Sequence, residues 1–493
     1  MDGSDGRTAA APAQHRLTEG PITSTLFWFS LPVLGSNVLQ SLNGSVNAVW
    51  VGQFLGEAGL TATANANLVL FLMLGAVFGV GMAANIMVAQ AVGAKDLDQA
   101  RRVVGTSAAF FVIASLVVAL AGFLATPTIL RLLGTPAEAA PLAESYLRII
   151  FAALPFMYFL TFLMMTLRGS GDARTPLIFM GMTVVLDVGL NPLLIQGMGP
   201  FPRMGIAGSA TATLIGQVIS LVAMITYIYR RKLPLRLTGD ELGYLKPDLV
   251  ILRATVVKGV PMGLQIVVVS GSALVMMGMV NAHGTVTAAA YGVAAQIWTY
   301  IQMPAMAIGA AASSMAAQNV GARQWRRVEL TARSGALINL ALTGLLVVLV
   351  YLAEPFLLRL FLPGDAAAIA VSSHINLIVA WSFIMFGVTF VLFGVVRSTG
   401  AVTAPLIALA ISLFGIRVMF AKALEPSWGA DAIWWSFPVS MAASALMAFG
   451  YYRFGGWRKA RMAPIRASGE VDSTGLATPA MDGLSGDEKP VRG

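Results

Sequence analysis

Apolar residues run through this chain in long blocks, each closed by a short polar connection. Twelve such blocks lie near 24–49, 58–88, 103–127, 142–167, 174–197, 206–229, 254–281, 286–314, 332–355, 371–396, 402–424 and 433–453. Each is long enough for the roughly 20 residues that a helix needs to cross a bilayer. The pattern therefore predicts an all-α polytopic membrane protein with 12 transmembrane helices. The blocks also repeat. Pro32 recurs as Pro261, Arg168 as Arg397 and Pro176 as Pro405, each 229 residues on, and Ala89-Gln90-Ala91-Val92-Gly93-Ala94 recurs as Ala317-Gln318-Asn319-Val320-Gly321-Ala322, 228 on. Six blocks per half make the halves parallel copies, so the expected architecture is two six-helix pseudo-symmetric lobes, an arrangement typical of carriers.

Composition sharpens this picture. The chain is 57% hydrophobic and 11% charged, with mean hydropathy +0.77, well outside the range of soluble domains. Its net charge of +9 sits in short loops, where it sets orientation, and nucleic acid is not an expected partner. Alternate loops are rich in Lys and Arg (Lys95, Arg101, Arg102, Arg174, Arg230, Arg231, Lys232, Arg323, Arg326, Arg327). The positive-inside bias then puts both termini in the cytoplasm of a plasma (inner) membrane protein. With no cysteine, disulfides and thiolate sites are excluded. The first twenty residues are polar and carry no signal peptide pattern. The expected organisation is a disordered N-terminus at 1–16, a first lobe at 17–235, a linker at 236–250, a second lobe at 251–460 and a disordered tail at 461–493.

Four segments carry a family likeness. Val46-Asn47-Ala48-Val49-Trp50-Val51-Gly52 closes span one. Leu167-Arg168-Gly169-Ser170-Gly171-Asp172-Ala173-Arg174-Thr175-Pro176 joins spans four and five. Asn191-Pro192-Leu193-Leu194-Ile195 precedes Gly205-Ile206-Ala207-Gly208-Ser209-Ala210-Thr211-Ala212-Thr213. In this order, within a twelve-span repeat, they resemble the multidrug and toxic compound extrusion (MATE) transporters, the DinF-like branch more than the NorM-like one. The resemblance covers residues 18 to 455. It implies two lobes around a V-shaped cleft and a secondary active antiporter that exports amphipathic or cationic compounds, with no cofactor beyond a coupling H⁺ or Na⁺.

Asp187 is the carboxylate placed deepest in a span, about 20 Å from the start of span five. An acid at that depth is costly and by default marks an ion or proton pathway; its bland alternative is a structural tie to a neighbouring helix. Asn191 lies one turn on, on the same face. Asn47 stands where the family pattern usually has an Asp, and Thr213 where it has a cation-lining Thr. The expected ion-coupling set is thus Asp187, Asn191, Asn47 and Thr213, with the family's acidic pair reduced to one. A single titrating acid suffices for proton exchange. The same oxygens would also suit sodium, in which case Asp187 is the metal ligand. Gln40, Asn43 and Asn65 are expected either to line the cavity or to bond helices together. Pro32 is a hinge candidate or a fixed bend in span one. Arg417 is an intramembrane cation with no partner legible in the sequence.

The expected function is multidrug efflux by a monomer embedded in the lipid bilayer, acting on small drug-like substrates and not as an enzyme. Its nearest rival is a flippase for a lipid or lipid-linked sugar, which a strongly basic cavity would favour. A polytopic membrane enzyme or a receptor is the rival from another class, and the short loops leave no room for a catalytic domain.

Overall fold

The computed structural model describes residues 17–362 and 365–462; the side chains of Asn65, Leu68, Phe71, Leu72, Leu74 and Ala76 lie outside that description. Of the ends expected to be disordered, 1–16 and 461–493, residues 1–16 and 463–493 also lie outside the described residues. Every described element is helical. The long elements are α1 (Ile22–Gly93), α2 (Leu97–Leu132), α3 (Ala140–Gly169), α4 (Arg174–Gln196), α5 (Ile206–Arg230), α6 (Leu249–Asn281), α7 (Thr285–Gly321) and α8 (Trp325–Phe361). They continue with α9 (Ala366–Val379), α10 (Phe383–Arg397), α11 (Thr403–Ala410), α12 (Met419–Trp428) and α13 (Asp431–Phe454).

These elements make twelve crossings, six in each half. The first two join into α1, which is broken at Gly56, where φ is 68° and the backbone leaves the helical region. A 3-10 turn, Ala380–Ser382, joins α9 to α10 in one crossing, and a π-helical stretch, Ile411–Val418, joins α11 to α12 in another. Ten helical segments are long and apolar enough to span a membrane by composition alone. The two crossings outside that set are the second limb of α1 and α7. They are the same helix of each repeat, and both bury rows of small side chains. Ala307, Ala311, Ala312, Ala316 and Ala317 of α7 are all buried, as are Ala83, Ala84 and Ala89 of α1. Small side chains suit helices that pack on protein, because there is no hydrophobic gain in hiding a large one from lipid. By contrast, α2 turns Ile113, Leu116, Val117, Leu120 and Leu124 outward, and α8 turns out Leu345, Val348, Leu349 and Leu352. These helical-period stripes are the lipid face.

The lobes meet at the end that carries the basic loops, and they meet through the repeated Ala-Gln-x-Val-Gly-Ala phrase. A Cβ on Gly93 would stand 1.9 Å from the Gln318 carbonyl oxygen, and a Cβ on Gly321 the same 1.9 Å from that of Gln90. Only glycine permits that approach. The glutamine side chains cross in the same reciprocal way. Gln90 Nε2 donates to the Ser398 carbonyl at 2.6 Å, and Gln318 Nε2 donates to the Gly169 carbonyl at 2.8 Å. The acceptors end the fourth helix of each repeat, in the Arg-x-x-Gly turns whose Gly171 and Gly400 adopt φ of 94° and 101°. Asp172 then caps α4, accepting from the backbone N–H groups of Arg174 and Thr175.

Each repeat also lends its first helix to the other lobe. The start of α1, with Leu26, Phe29 and Val33, packs among Ile308, Ala312, Val391 and Val395 of the second half. Asn319 Nδ2 and the Arg327 guanidinium hold the carbonyls of Leu17, Glu19 and Gly20 just before it. Reciprocally, Ile251 and Met262 of α6 join the core of the first half, and a Cβ on Gly79 would stand 2.2 Å from the Gly263 backbone nitrogen, so Gly79 could not carry a larger side chain without moving the helices. The linker between the halves is strapped to α2. Its short 3-10 turn, Gly239–Leu245, opens with a Thr238–Glu241 capping box, and Glu241 pairs with Arg101.

Two predictions come from this framework. Gly93→Val is expected to cost at least about 1–3 kcal/mol, read as a lower melting temperature of the detergent-solubilised protein; an unchanged melting temperature would contradict the close contact. The linker strap is expected to depend on pH. The Thr238 backbone N–H, and then Arg101, hold the Glu241 carboxyl below the usual carboxylate range. A depressed acid contributes above its ordinary pKa and loses that contribution as pH falls through the folded value. Protection of the 239–245 amides against hydrogen exchange should therefore drop between pH 7 and about pH 3 in wild type, and be low at both in Glu241→Gln.

Candidate functional site

A polar site lies inside the first lobe, where α1, α3, α4 and α5 line a cavity of about 230 Å³. Gln40, Asn43, Asn47, Tyr146, Asp187 and Thr213 are among its lining residues, and no Lys or Arg is. Asp187 is 2% exposed and Asn191 is fully buried. Both face inward because i, i+4 spacing puts them on one face of α4.

The side chains stack in two levels one helical turn apart. At the lower level the Asp187 carboxylate is solvated by protein donors. Asn43 Nδ2 donates to its Oδ2 at 2.8 Å, and the Thr213 hydroxyl donates to its Oδ1 at 3.0 Å. Asn191 Nδ2 reaches back from the next turn to the Asp187 carbonyl at 3.2 Å and to Oδ1 at 3.3 Å. At the upper level the Ser209 hydroxyl donates to Asn47 Oδ1 at 2.8 Å. Three helices thus converge on one carboxylate, and each contributes a pair at i, i+4: Asn43 and Asn47, Asp187 and Asn191, Ser209 and Thr213.

The donor set leaves acceptors over. Asn43 Oδ1 and Asn191 Oδ1 are buried with no hydrogen-bond partner. Two unpaired amide oxygens beside a carboxylate form an acceptor-rich pocket, costly to leave unfilled and suited to a bound cation.

The MatE family model matches residues 32–193 and matches again at 261–422, the same segment 229 residues further on. The chain belongs to the MatE family. It is 34% identical over 433 residues to the probable multidrug resistance protein YoeA of Bacillus subtilis, covering 87% of this chain and 93% of that one. It is 31% identical to the probable multidrug resistance protein YpnP of the same organism, covering 90% and 98%. A solved structure described as the outward-facing conformation of a multidrug resistance MATE family transporter of the MOP superfamily superposes with a TM-score of 0.83 at 20% identity, covering 90% of this chain and 98% of that one. The likeness bears out the all-α, twelve-helix, two-lobed membrane architecture.

Within this MatE chain the candidates fall into distinct places. Asp187, Asn191, Thr213 and Asn43 form one bonded cluster. Asn47 lines the same cavity but spends its oxygen on Ser209, and Gln40 lines the wall one turn below Asn43. The Asn65 side chain lies outside the described residues. Pro32 sits in helical backbone, with the Ser36 hydroxyl donating to its carbonyl at 2.9 Å, and the break in α1 falls at Gly56. Arg417 has a partner after all: its Nε donates to the Ser440 hydroxyl of α13 at 2.9 Å. Ser209, within the Gly205–Thr213 motif, joins the site as well, and its i, i+4 relation to Thr213 is the sequence signal for it. Glu354, which the sequence pattern places at a span end, lies two turns inside α8 because that helix runs on to Phe361. It accepts from Ser373 and Asn376 at 3.1 Å each.

Double-mutant cycles test this wiring. Asn43→Ala with Asp187→Ala should show a coupling energy of about 0.6–2 kcal/mol, measured by unfolding in mixed micelles. Asn47→Ala with Asp187→Ala should show coupling near zero. Equal couplings would contradict the two-level arrangement.

Proposed function

We propose that this MatE chain is a secondary active exporter of amphipathic, often cationic compounds, driven by exchange for a cation at Asp187 through alternating access. The observation that carries this reading is the buried Asp187 carboxylate, held by donors from α1, α4 and α5 at the wall of the cavity. A cationic substrate and a small cation can both be neutralised there, which supports competition between them for one site. Closure of the lobes at the basic end supports an outward-facing state, with both termini in the cytoplasm and the protein in the plasma membrane. We take the carrier to be a monomer, without cofactor or enzymatic activity. The carboxylate-bearing, Lys- and Arg-free wall gives no support to a flippase for anionic lipid-linked sugars.

Proton exchange is the first reading, because one titrating acid is sufficient for it. The unpaired oxygens of Asn43 and Asn191 support sodium as the second. Either way, one charge moving with the membrane potential is worth about 2.3 kcal/mol per 100 mV, or about 50-fold accumulation. α1 offers a route for coupling: its first limb donates to Asp187 through Asn43, while the start of the same limb packs in the other lobe's core. A cation that takes the carboxylate from Asn43 acts on the helix that joins the two lobes.

Dye efflux from vesicles under imposed proton or sodium gradients tests the reading. Asp187→Asn is expected to lower gradient-driven efflux by at least about tenfold, equivalent to about 1.4 kcal/mol, while the protein remains folded by size-exclusion chromatography. Undiminished efflux in the variant would refute the role of Asp187. Wild-type efflux that follows sodium at fixed pH would select the second reading over the first.

A further inference from the structure

The second lobe holds a charged residue that the transport reading does not use. Arg417 lies within the π-helical stretch Ile411–Val418, in the middle of the crossing formed by residues 403–428. That crossing is the duplicate of α4, and at the repeat offset Asp187 corresponds to Ile416. A π turn takes up more residues than an α turn. Arg417 thereby reaches the place in its lobe that Asp187 holds in the other. The bonding supports the equivalence. Asp187 meets the Thr213 hydroxyl on α5, the last helix of its repeat, and Arg417 meets the Ser440 hydroxyl on α13, the last helix of the second. The carrier thus bears opposite charges at corresponding depths of its two lobes.

Arg417 is only 7% exposed, its guanidinium lies 4.4 Å from the centre of the Phe437 ring, and it takes part in no ion pair among the described residues. Its Nε is satisfied by Ser440, while its terminal amino groups make no hydrogen bond among the described residues and are not fully buried. Two other arginines differ. Buried Arg397 and half-buried Arg168 sit at the basic ends of α10 and α3, and Arg397 gives Nη1 to Gln265. A guanidinium mid-membrane, without a carboxylate, is costly and by default functional. Its planar donors fit a carboxylate in bidentate fashion. The adjoining Tyr291, Trp298 and Phe437 rings offer an apolar surface beside it.

We propose that Arg417 is an anion-recognition subsite, which takes the carboxylate of zwitterionic amphiphiles and extends the substrate range beyond simple cations. The proposal rests on the drug-export reading above. A compound bearing both an amine and a carboxylate is read by the Asp187 lobe at one end and by the Arg417 lobe at the other.

Rhodamine B, a zwitterion with a free carboxylate, and its ethyl ester, a cation with the same fluorophore, make a matched pair of probes. Binding to the full-length protein in nanodiscs by fluorescence anisotropy, and efflux from vesicles, are measured for wild type, Arg417→Gln and Arg417→Lys. Wild type is expected to bind and export both dyes. Arg417→Gln should weaken binding and efflux of the acid about tenfold or more while leaving the ester within about twofold, and Arg417→Lys should recover part of the loss. Equal loss of both dyes in Arg417→Gln would make the residue structural and overturn the proposal, as would an unaffected acid. Wild-type handling of the ester but not the acid overturns the subsite alone. Wild-type handling of neither overturns the drug-export reading and the subsite with it.

Discussion

The contact between Gly93 and Gly321, each against the backbone of the other repeat's glutamine, fixes how the two lobes face one another. Helices in lipid gain nothing by hiding apolar side chains, so they associate through close packing and through hydrogen bonds that would otherwise go unmade. Here both come from one duplicated phrase. The glycine removes the Cβ that would hold the backbones apart, and the glutamine three residues before it crosses to cap the carbonyls that end the fourth helix of the other repeat. Those carbonyls belong to helix termini, where the last carbonyl oxygens lack N–H donors within the helix. Because each copy serves the other, the contact is self-complementary and can part as a unit without leaving one half selectively unsatisfied.

The polar site follows a different logic, since nothing in the second lobe repeats it. A carboxylate taken from water must be solvated by something, and in the first lobe three helices supply donors at i, i+4 spacing. The shortage is in the opposite sense: more acceptor atoms than donors converge there. Such an imbalance favours a mobile positive charge over a fixed side chain. The second lobe fills the matching depth with a guanidinium over an aromatic ring. Duplication has thus kept the scaffold and inverted the charge.

Much of the fold was legible in the sequence because membrane crossing imposes a coarse rule on length and polarity. The twelve spans, the parallel repeat and the two-lobed architecture followed from apolar blocks and from a constant offset. Asp187 was legible for the same reason, since an acid in hydrocarbon stands out against its surroundings. The finer wiring was not. Whether Asn43 or Asn47 meets Asp187 depends on how far α1 slides against α4, and both lie on the same face of α1. Arg417 was visible, but its partner was hidden by the π turn, which shifts the register by an amount that composition does not encode. The continuity of α1 through its first two crossings was hidden too, because the bend at Gly56 needs no loop residues.

The exchange of first helices has a consequence for biogenesis. The start of α1 emerges first from the ribosome, yet the residues it packs against, on α7, α8 and α10, belong to the second half of the chain. The first six crossings can be threaded into the bilayer in order, but their lobes cannot close until the second half has been inserted and has surrendered the start of α6 in return. Assembly is therefore a post-insertional event for the whole molecule. The duplicated halves, although each resembles a complete bundle in sequence, complete one another's cores as parts of a single folding unit.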